Sequence, residues 1–267
     1  MSRRRFDRLR LIQKQINERP RLREWLTRLR HGARDVDVVL FKRMLRINVL
    51  RENGYYRASR LAYANSLLRD ETLVLQRVSM MLGDGITFVD VGANIGIFSA
   101  VIADAQRLFR DFRVIAFEAD PATFARLAVN AERFGFEAVN VALAADAGEL
   151  DFATGAVSGI ATRHDKAGRA HIAGRGFSVT ARRLDSFDLP GRLVIKIDVE
   201  SMEMDVLEGA RGLFEDARVA GVYLDEFNDK AAVLDFLSGY GFDLLAPYRL
   251  HPFAPGRRAL LAVRRED

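Results

Sequence analysis

Residues 86–100 read ITFVDVGANIGIFSA. A short apolar run carrying one acid, Asp90, gives way to Gly92-Ala93-Asn94-Ile95-Gly96, and an apolar run then resumes. A β-branched run of this length bounded by glycine reads as a buried strand. The apolar residues from Ile95 onward read as a helix. Glycines between two such elements admit backbone angles closed to other residues and let a ligand approach closely. The segment is therefore a strand–turn–helix unit with a turn built for something more than reversal.

The same alternation continues downstream. The pattern predicts a strand over 86–91, a helix over 95–109 and a strand over 113–118. A helix over 121–134 starts on Asp120-Pro121 and stops at Gly135. A third strand is predicted over 137–143. ELDFAT and GFSVTA read as strands flanking an irregular stretch. A strand over 193–198, a helix over 203–214, a strand over 219–225 and a helix over 229–239 follow, and FDLLA and ALLAV form a terminal pair. Strands alternating with helices imply an α/β fold with a doubly wound, mostly parallel sheet. Upstream, 36–58 reads as a hairpin or strand turning near Asn53-Gly54, and 59–82 as a helix. Pro20 separates two short amphipathic helices in the first 35 residues. The chain thus divides into a basic, mainly helical extension (1–82) and an α/β domain (83–267).

Composition adds exclusions. There is no cysteine among 267 residues, so disulfides, thiolate metal sites and cysteine nucleophiles are ruled out. No apolar run is long enough to span a bilayer, and no signal-peptide core follows the basic start. These features are read as those of a cytoplasmic chain. Residues 1–50 hold 15 Lys and Arg against 5 Asp and Glu; with +5 for the whole chain, the rest carries net −5. The basic start can dock on the main domain, mediate self-association, or touch an anionic surface, including the inner face of a membrane.

In an open parallel sheet, ligands lie beyond the carboxyl ends of the strands where strand order reverses. Gly92 to Gly96 would face that crevice. A dinucleotide wants G-x-G-x-x-G so that its pyrophosphate can sit on the helix N-terminus. The turn here is D-V-G-A-N-I-G, and Asp90 would repel a pyrophosphate but suits an ammonium group. Glu118, at the end of the second strand, suits a ribose with two free hydroxyls. Both cofactors carry such a ribose, so Glu118 does not discriminate; the turn does, and it favours S-adenosylmethionine over a nicotinamide dinucleotide. Asp90, Gly92, Asn94, Gly96, Glu118 and Asp120 are the candidate cofactor residues, with Ala142 at the end of the third strand.

Three blocks, FVDVGANIGIFS, VIAFEADPATFARLAVN and ARRLDSFDLPGRLVIKIDVESMEMDVLEGA, give the sequence a likeness to a known family. It resembles the FkbM-type methyltransferases of the Rossmann-like S-adenosylmethionine-dependent group, whose sheets have seven strands. One position departs from the family pattern: Ser201 stands where a glycine usually follows Glu200. The resemblance implies methyl transfer, usually to an oxygen, with a small molecule, glycan or glycolipid as acceptor. It places Lys196, Asp198 and Glu200 at the reaction centre.

Strand geometry reaches the same three residues. Side chains alternate along a strand, so Lys196, Asp198 and Glu200 share one face. Ionisable groups on a buried strand are costly unless paired or functional. Methylating an alcohol requires removal of a hydroxyl proton, by a general base or with the help of a metal. Asp198 is the first candidate for base or metal ligand, with Glu200 and Glu203 orienting the hydroxyl. Asp225 and Asn228, after the next strand, could join Asp198 around Mg²⁺. His164 or His171, in an irregular and basic segment, is an alternative base, and Tyr55, Tyr56 and Tyr63 could line a sugar pocket or pack in the core. An RNA methyltransferase using the basic start, or a cofactor-binding protein without turnover, are the alternatives; DNA is not expected as a partner.

Overall fold

The computed structural model describes residues 20–60, 65–154, 161–163, 176–199, 202–225, 230–248 and 259–265. The described elements begin with helix α1 (Pro20–His31), a hairpin of β1 (Asp35–Leu40) and β2 (Arg43–Asn48), and helices α2 (Asn53–Arg60) and α3 (Asn65–Ser79), and the helix expected before Pro20 lies outside the described residues. Then come β3 (Ile86–Val91), α4 (Ile97–Ile102), β4 (Arg113–Phe117), α5 (Pro121–Phe134), β5 (Glu137–Val139) and β6 (Ala142–Leu143). Strands β7 (Gly148–Thr154), β8 (Ala161–Arg163) and β9 (Gly176–Arg182) precede β10 (Arg192–Ile197). The remainder is α6 (Glu203–Gly209), α7 (Arg211–Glu215), β11 (Val219–Leu224), α8 (Lys230–Gly239), β12 (Phe242–Tyr248) and β13 (Ala259–Arg264).

The main sheet has seven strands in the order β12-β13-β11-β10-β3-β4-β5. Only β13 runs antiparallel to its neighbours. Alternation along the strands divides the core. Phe88, Val114, Ala116, Val194 and Tyr223 face the side covered by the hairpin, α2, α3, α4 and α5. Val89, Val91, Ile115, Ile195, Ile197 and Val222 face the side covered by α6, α7 and α8. A second sheet, β6-β9-β7-β8, stands beside the first.

The structure changes several sequence boundaries, each for a local reason. The hairpin turns at Phe41-Lys42, which both adopt positive φ (48° and 61°), as a two-residue primed turn requires. Asn53-Gly54 instead opens α2, with the Asn53 amide donating to the Val49 carbonyl and to Thr27. The helix after the glycine turn begins only at Ile97 and tightens into a 3₁₀ turn over Ala103–Arg107. The 137–143 strand splits in two. Asn140 Nδ2 donates to the Glu118 and Ala119 carbonyls, at 2.7 and 3.1 Å, which turns the chain from the main sheet into the second.

Polar anchors fix the N-terminal elements to the α/β core. Asn130 is fully buried on α5. Its Oδ1 accepts from the Arg46 N–H (2.7 Å), and its Nδ2 donates to the carbonyls of Arg46 (3.1 Å) and Ile95 (2.7 Å). Arg126 pairs with Glu52 at 2.7 Å with both side chains buried. Removing one member of such a pair leaves an uncompensated charge. Arg126→Ala should therefore cost about 3 kcal/mol of folding stability, read by denaturant unfolding; a loss below about 0.5 kcal/mol would show the anchor to be dispensable.

Candidate active site

Strand order reverses between β3 and β10. The chain leaves β3 for α4 on one face and leaves β10 for α6 on the other. The crevice expected at such a switch point is organised by one cross-strand row, because Asp90, Lys196 and Tyr223 stand in register on β3, β10 and β11. Lys196 is 2 % exposed and Asp90 is wholly buried. The ammonium lies 3.1 Å from Asp90 Oδ1 and 3.4 Å from Asp198 Oδ2, and 4.7 Å from the centre of the Phe98 ring. Ser99 donates to Asp90 Oδ2 at 2.7 Å. Burial works against the Lys196 charge, but Asp90, then Asp198 and Asp225, outweigh it and hold the lysine protonated beyond the ordinary lysine range.

This corrects the role expected for Asp90. Both of its oxygens are engaged by protein groups and none of the side chain reaches the surface. It is the counter-ion that positions Lys196, rather than a group exposed to a ligand ammonium. The turn glycines are likewise required first by the protein. Gly92 (φ +72°) and Gly96 (φ +79°) lie in the left-handed region. A Cβ at Gly92 would stand 2.1 Å from the Asp198 carbonyl oxygen, and one at Gly96 would stand 2.6 Å from Leu127 Cδ1. The turn is thus pressed onto the end of β10 and onto α5.

Glu118 ends β4 with its side chain folded over that turn. Its Oε2 accepts from the Asn94 N–H and its Oε1 from the Asp120 N–H, each at 2.9 Å. Burial pushes its carboxyl up to about 7, against the two backbone hydrogen bonds that favour the anion. A raised carboxylate value favours the folded state at low pH, and that contribution is lost as pH rises through about 7. Each carboxylate oxygen has a second lone pair, so Glu118 retains acceptor capacity. Asn94 Oδ1 is buried with no hydrogen-bond partner among the described residues. These two groups fit a polar ligand lying over the turn. Asp120 does not: it caps α5 through the Ala122 N–H (2.8 Å) and Thr123 (3.1 Å), and it pairs with Arg51 at 2.6 Å. Ala142 is buried in the small cluster against which Ala119 packs.

Asp198 follows β10 with 45 % of its side chain exposed. Asp225 follows β11 and accepts from the Tyr223 hydroxyl at 3.0 Å. Glu203 is buried in the first turn of α6. Among the described residues no group of three or more His, Cys, Asp or Glu could hold a metal ion, and Asp198 already faces the Lys196 ammonium. Mg²⁺ at Asp198 and Asp225 is therefore not supported by the described residues. Asn228, Glu200, Ser201, His164, His171 and Tyr63 lie outside the described residues.

One acid escaped the sequence reading. Glu71, on α3, accepts from the Tyr55 hydroxyl at 3.0 Å. Burial pushes its carboxyl up to about 8; Asp198 adds to the shift, and Lys196 and the Tyr55 hydrogen bond oppose it. Burial, then Glu71 and Asp198, raise the Tyr55 phenol well above its ordinary value. The signal was present in the sequence: Glu71 lies three and seven residues before Val74 and Val78, the buried stripe of α3, and so shares their face.

The ion pair makes a sharp mutational contrast. Lys196→Ala should cost about 3–5 kcal/mol by leaving Asp90 buried without a cation, whereas Lys196→Met with Asp90→Asn should recover most of that loss. Thermal and denaturant unfolding of the three proteins would measure it. Equal losses in the single and double variants would deny the coupling.

The family model described as "Methyltransferase FkbM domain" matches residues 90–244. No curated protein sequence matches the chain. Among solved structures, the chain is similar to a precorrin-6y C5,15-methyltransferase from Geobacter metallireducens, with 15 % identity, 74 % of this chain and 87 % of that chain covered, and a TM-score of 0.40. It is similar to the magnesium protoporphyrin IX methyltransferase of Synechocystis, with 12 % identity, 81 % and 94 % covered, and a TM-score of 0.43. It is also similar to a tRNA (uracil-54, C5)-methyltransferase from Pyrococcus abyssi, with 10 % identity, 87 % and 45 % covered, and a TM-score of 0.47. With the family model spanning more than half of its length, from Asp90 at the crevice to Leu244 in β12, the chain belongs to the FkbM methyltransferase family.

Proposed function

We propose that this chain transfers the methyl group of S-adenosylmethionine to a hydroxyl of a sugar, glycan, glycolipid or hydroxylated natural product. The observation that carries the reading is the buried Lys196 ammonium beside the glycine turn, paired with Asp90 at 3.1 Å and with the half-exposed Asp198 at 3.4 Å, with Asp225 and Glu71 in its electrostatic reach. Such a wall suits a reaction in which a neutral hydroxyl must be oriented and lose a proton. It suits a polyanionic backbone poorly, since phosphates are held by unpaired basic groups. That counts against an RNA acceptor.

When bound, S-adenosylmethionine supplies an electrophilic methyl group on a sulfonium. The chain's own residues provide position. Glu118, through the lone pairs its backbone donors leave open, would accept from the ribose hydroxyls, and Asn94 Oδ1 would gain the donor it lacks. Gly92 lets the turn lie against the end of β10, and Gly96 lets it lie against α5. Lys196, fixed by Asp90 and Phe98, sets the position of Asp198, whose exposed carboxylate orients the acceptor oxygen. In-line attack needs that oxygen close to the methyl carbon, and rigid strand ends supply such placement.

The described elements before β3, helices α1 to α3 with the hairpin, form the acceptor side of the site in this reading and act as a cap on the α/β domain. Helix α1 turns Trp25 (58 % exposed) and Leu29 (71 % exposed) to solvent beside basic residues. That face supports contact with an anionic surface or with a second copy. Among the described residues no helix is long and apolar enough to cross a membrane.

The test is label transfer. The purified chain is incubated with methyl-labelled S-adenosylmethionine and a fractionated bacterial extract, with and without a chelator. Label is expected in the glycan, lipid or small-molecule fraction, and the chelator arm reads whether a divalent cation takes part. Label in RNA alone would replace the acceptor class. Intact cofactor binding with label in no fraction would favour a binding protein without turnover.

A further inference from the structure

The acid that the family pattern does not include is Glu71. It lies before the matched segment of 90–244, on α3, the helix immediately before β3. It is half-buried on the sheet face that carries Asp90, Lys196 and Tyr223. Its carboxylate holds the Tyr55 hydroxyl of α2 at 3.0 Å. The groups that act on it are the neutral Tyr55 phenol from α2, Lys196 and Asp198 from β10 and its end, and Asp225 from the end of β11. Asp198 is tied to Lys196 at 3.4 Å and Asp225 to Tyr223 at 3.0 Å. Glu71 has a phenol as its hydrogen-bond donor, and a phenol neutralises a carboxylate less than an ammonium does.

Resting on the methyl-transfer reading above, we propose that Glu71 is the general base for the acceptor hydroxyl, with Tyr55 as the positioning residue that aims its carboxylate. The acceptor oxygen's lone pair forms the new O–C bond. The C–S bond to the methyl group breaks with its electron pair remaining on sulfur, which neutralises the sulfonium. The acceptor's O–H proton passes to the Glu71 carboxylate, which becomes a neutral acid and later releases that proton to water. A base should have a proton affinity near the working pH. Glu71, pushed up to about 8 chiefly by burial, meets that condition. The chemistry also explains why a cap folded onto the sheet belongs to the machinery: it delivers a carboxylate from outside the matched segment.

The test reads the full chain in two independent ways. Infrared titration of the protein without cofactor should show a neutral carboxyl band that disappears with a midpoint near 8. Glu71→Gln should lose that band while the separate Glu118 band near 7 remains. In label transfer to the accepting fraction, the wild-type rate should rise about tenfold per pH unit up to about 8. Glu71→Gln should lose that rise and fall about 100-fold or more, with unchanged calorimetric affinity for S-adenosylmethionine. Glu71→Asp should keep part of the rise. Tyr55→Phe, by removing a donor that favours the anion, should move it to higher pH. A Glu71→Gln enzyme with the wild-type pH profile, or no band assigned to Glu71, would overturn the proposal. Failure of the wild type to bind S-adenosylmethionine would instead sink the methyl-transfer reading, and the infrared arm separates the two.

Discussion

The buried pair of Lys196 and Asp90 is the constraint on which the rest of the site depends. A lysine that is 2 % exposed on a central strand is tolerable only with a matched anion. The anion must come from the neighbouring strand, at the position opposite in register. That requirement fixes which way Asp90 points and therefore the last residues of β3 before the turn. It leaves the turn pressed against the backbone of Asp198, where Gly92 alone fits. The same ammonium then reaches Asp198 and stabilises the negative groups around it. One ion pair thus sets strand register, turn geometry and the charge balance of the crevice.

The second dependence runs through the N-terminal elements. The hairpin and α2 share the apolar cluster of the sheet, with Leu45 and Ile47 packed among the same residues as Ile95 and Leu127. The buried anchors at Asn130 and Arg126 lock that packing in one arrangement. Because α2 and α3 pack on that cluster, Tyr55 and Glu71 lie on the sheet face that carries Lys196. In a looser arrangement, water would reach Glu71 and its carboxyl would return toward the ordinary glutamate range.

Much of this was legible in the sequence. The strand–turn–helix unit at 86–102, the Asp120-Pro121 helix start and the alternation from β3 to β11 follow from period, caps and glycine placement, and the seven-stranded sheet agrees with them. The hairpin turn was not legible, because Phe41-Lys42 carries none of the Asn or Gly that usually marks positive φ; tertiary packing against α5 imposes it. Asp90 and Asp120 were read as ligand groups because acids at strand ends often are. Their commitments to Lys196 and to the α5 cap depend on contacts 106 and 2 residues away, the first of which no local pattern reveals. Glu71 was overlooked because attention to motifs favours strand ends, whereas its mark is an acid on the apolar face of a helix.

The most direct measurement is calorimetric titration with S-adenosylmethionine across the range from about pH 5 to about pH 9, for the wild type and Glu118→Gln. Ribose hydroxyls donate to a carboxylate, so binding must draw on the ionised form of Glu118. The expected wild-type affinity rises about tenfold per pH unit up to about 7 and is level above it. The expected Glu118→Gln affinity is weaker and lacks that rise. Absence of binding, or an identical pH dependence in both proteins, would contradict a crevice built around Glu118 for this methyl donor.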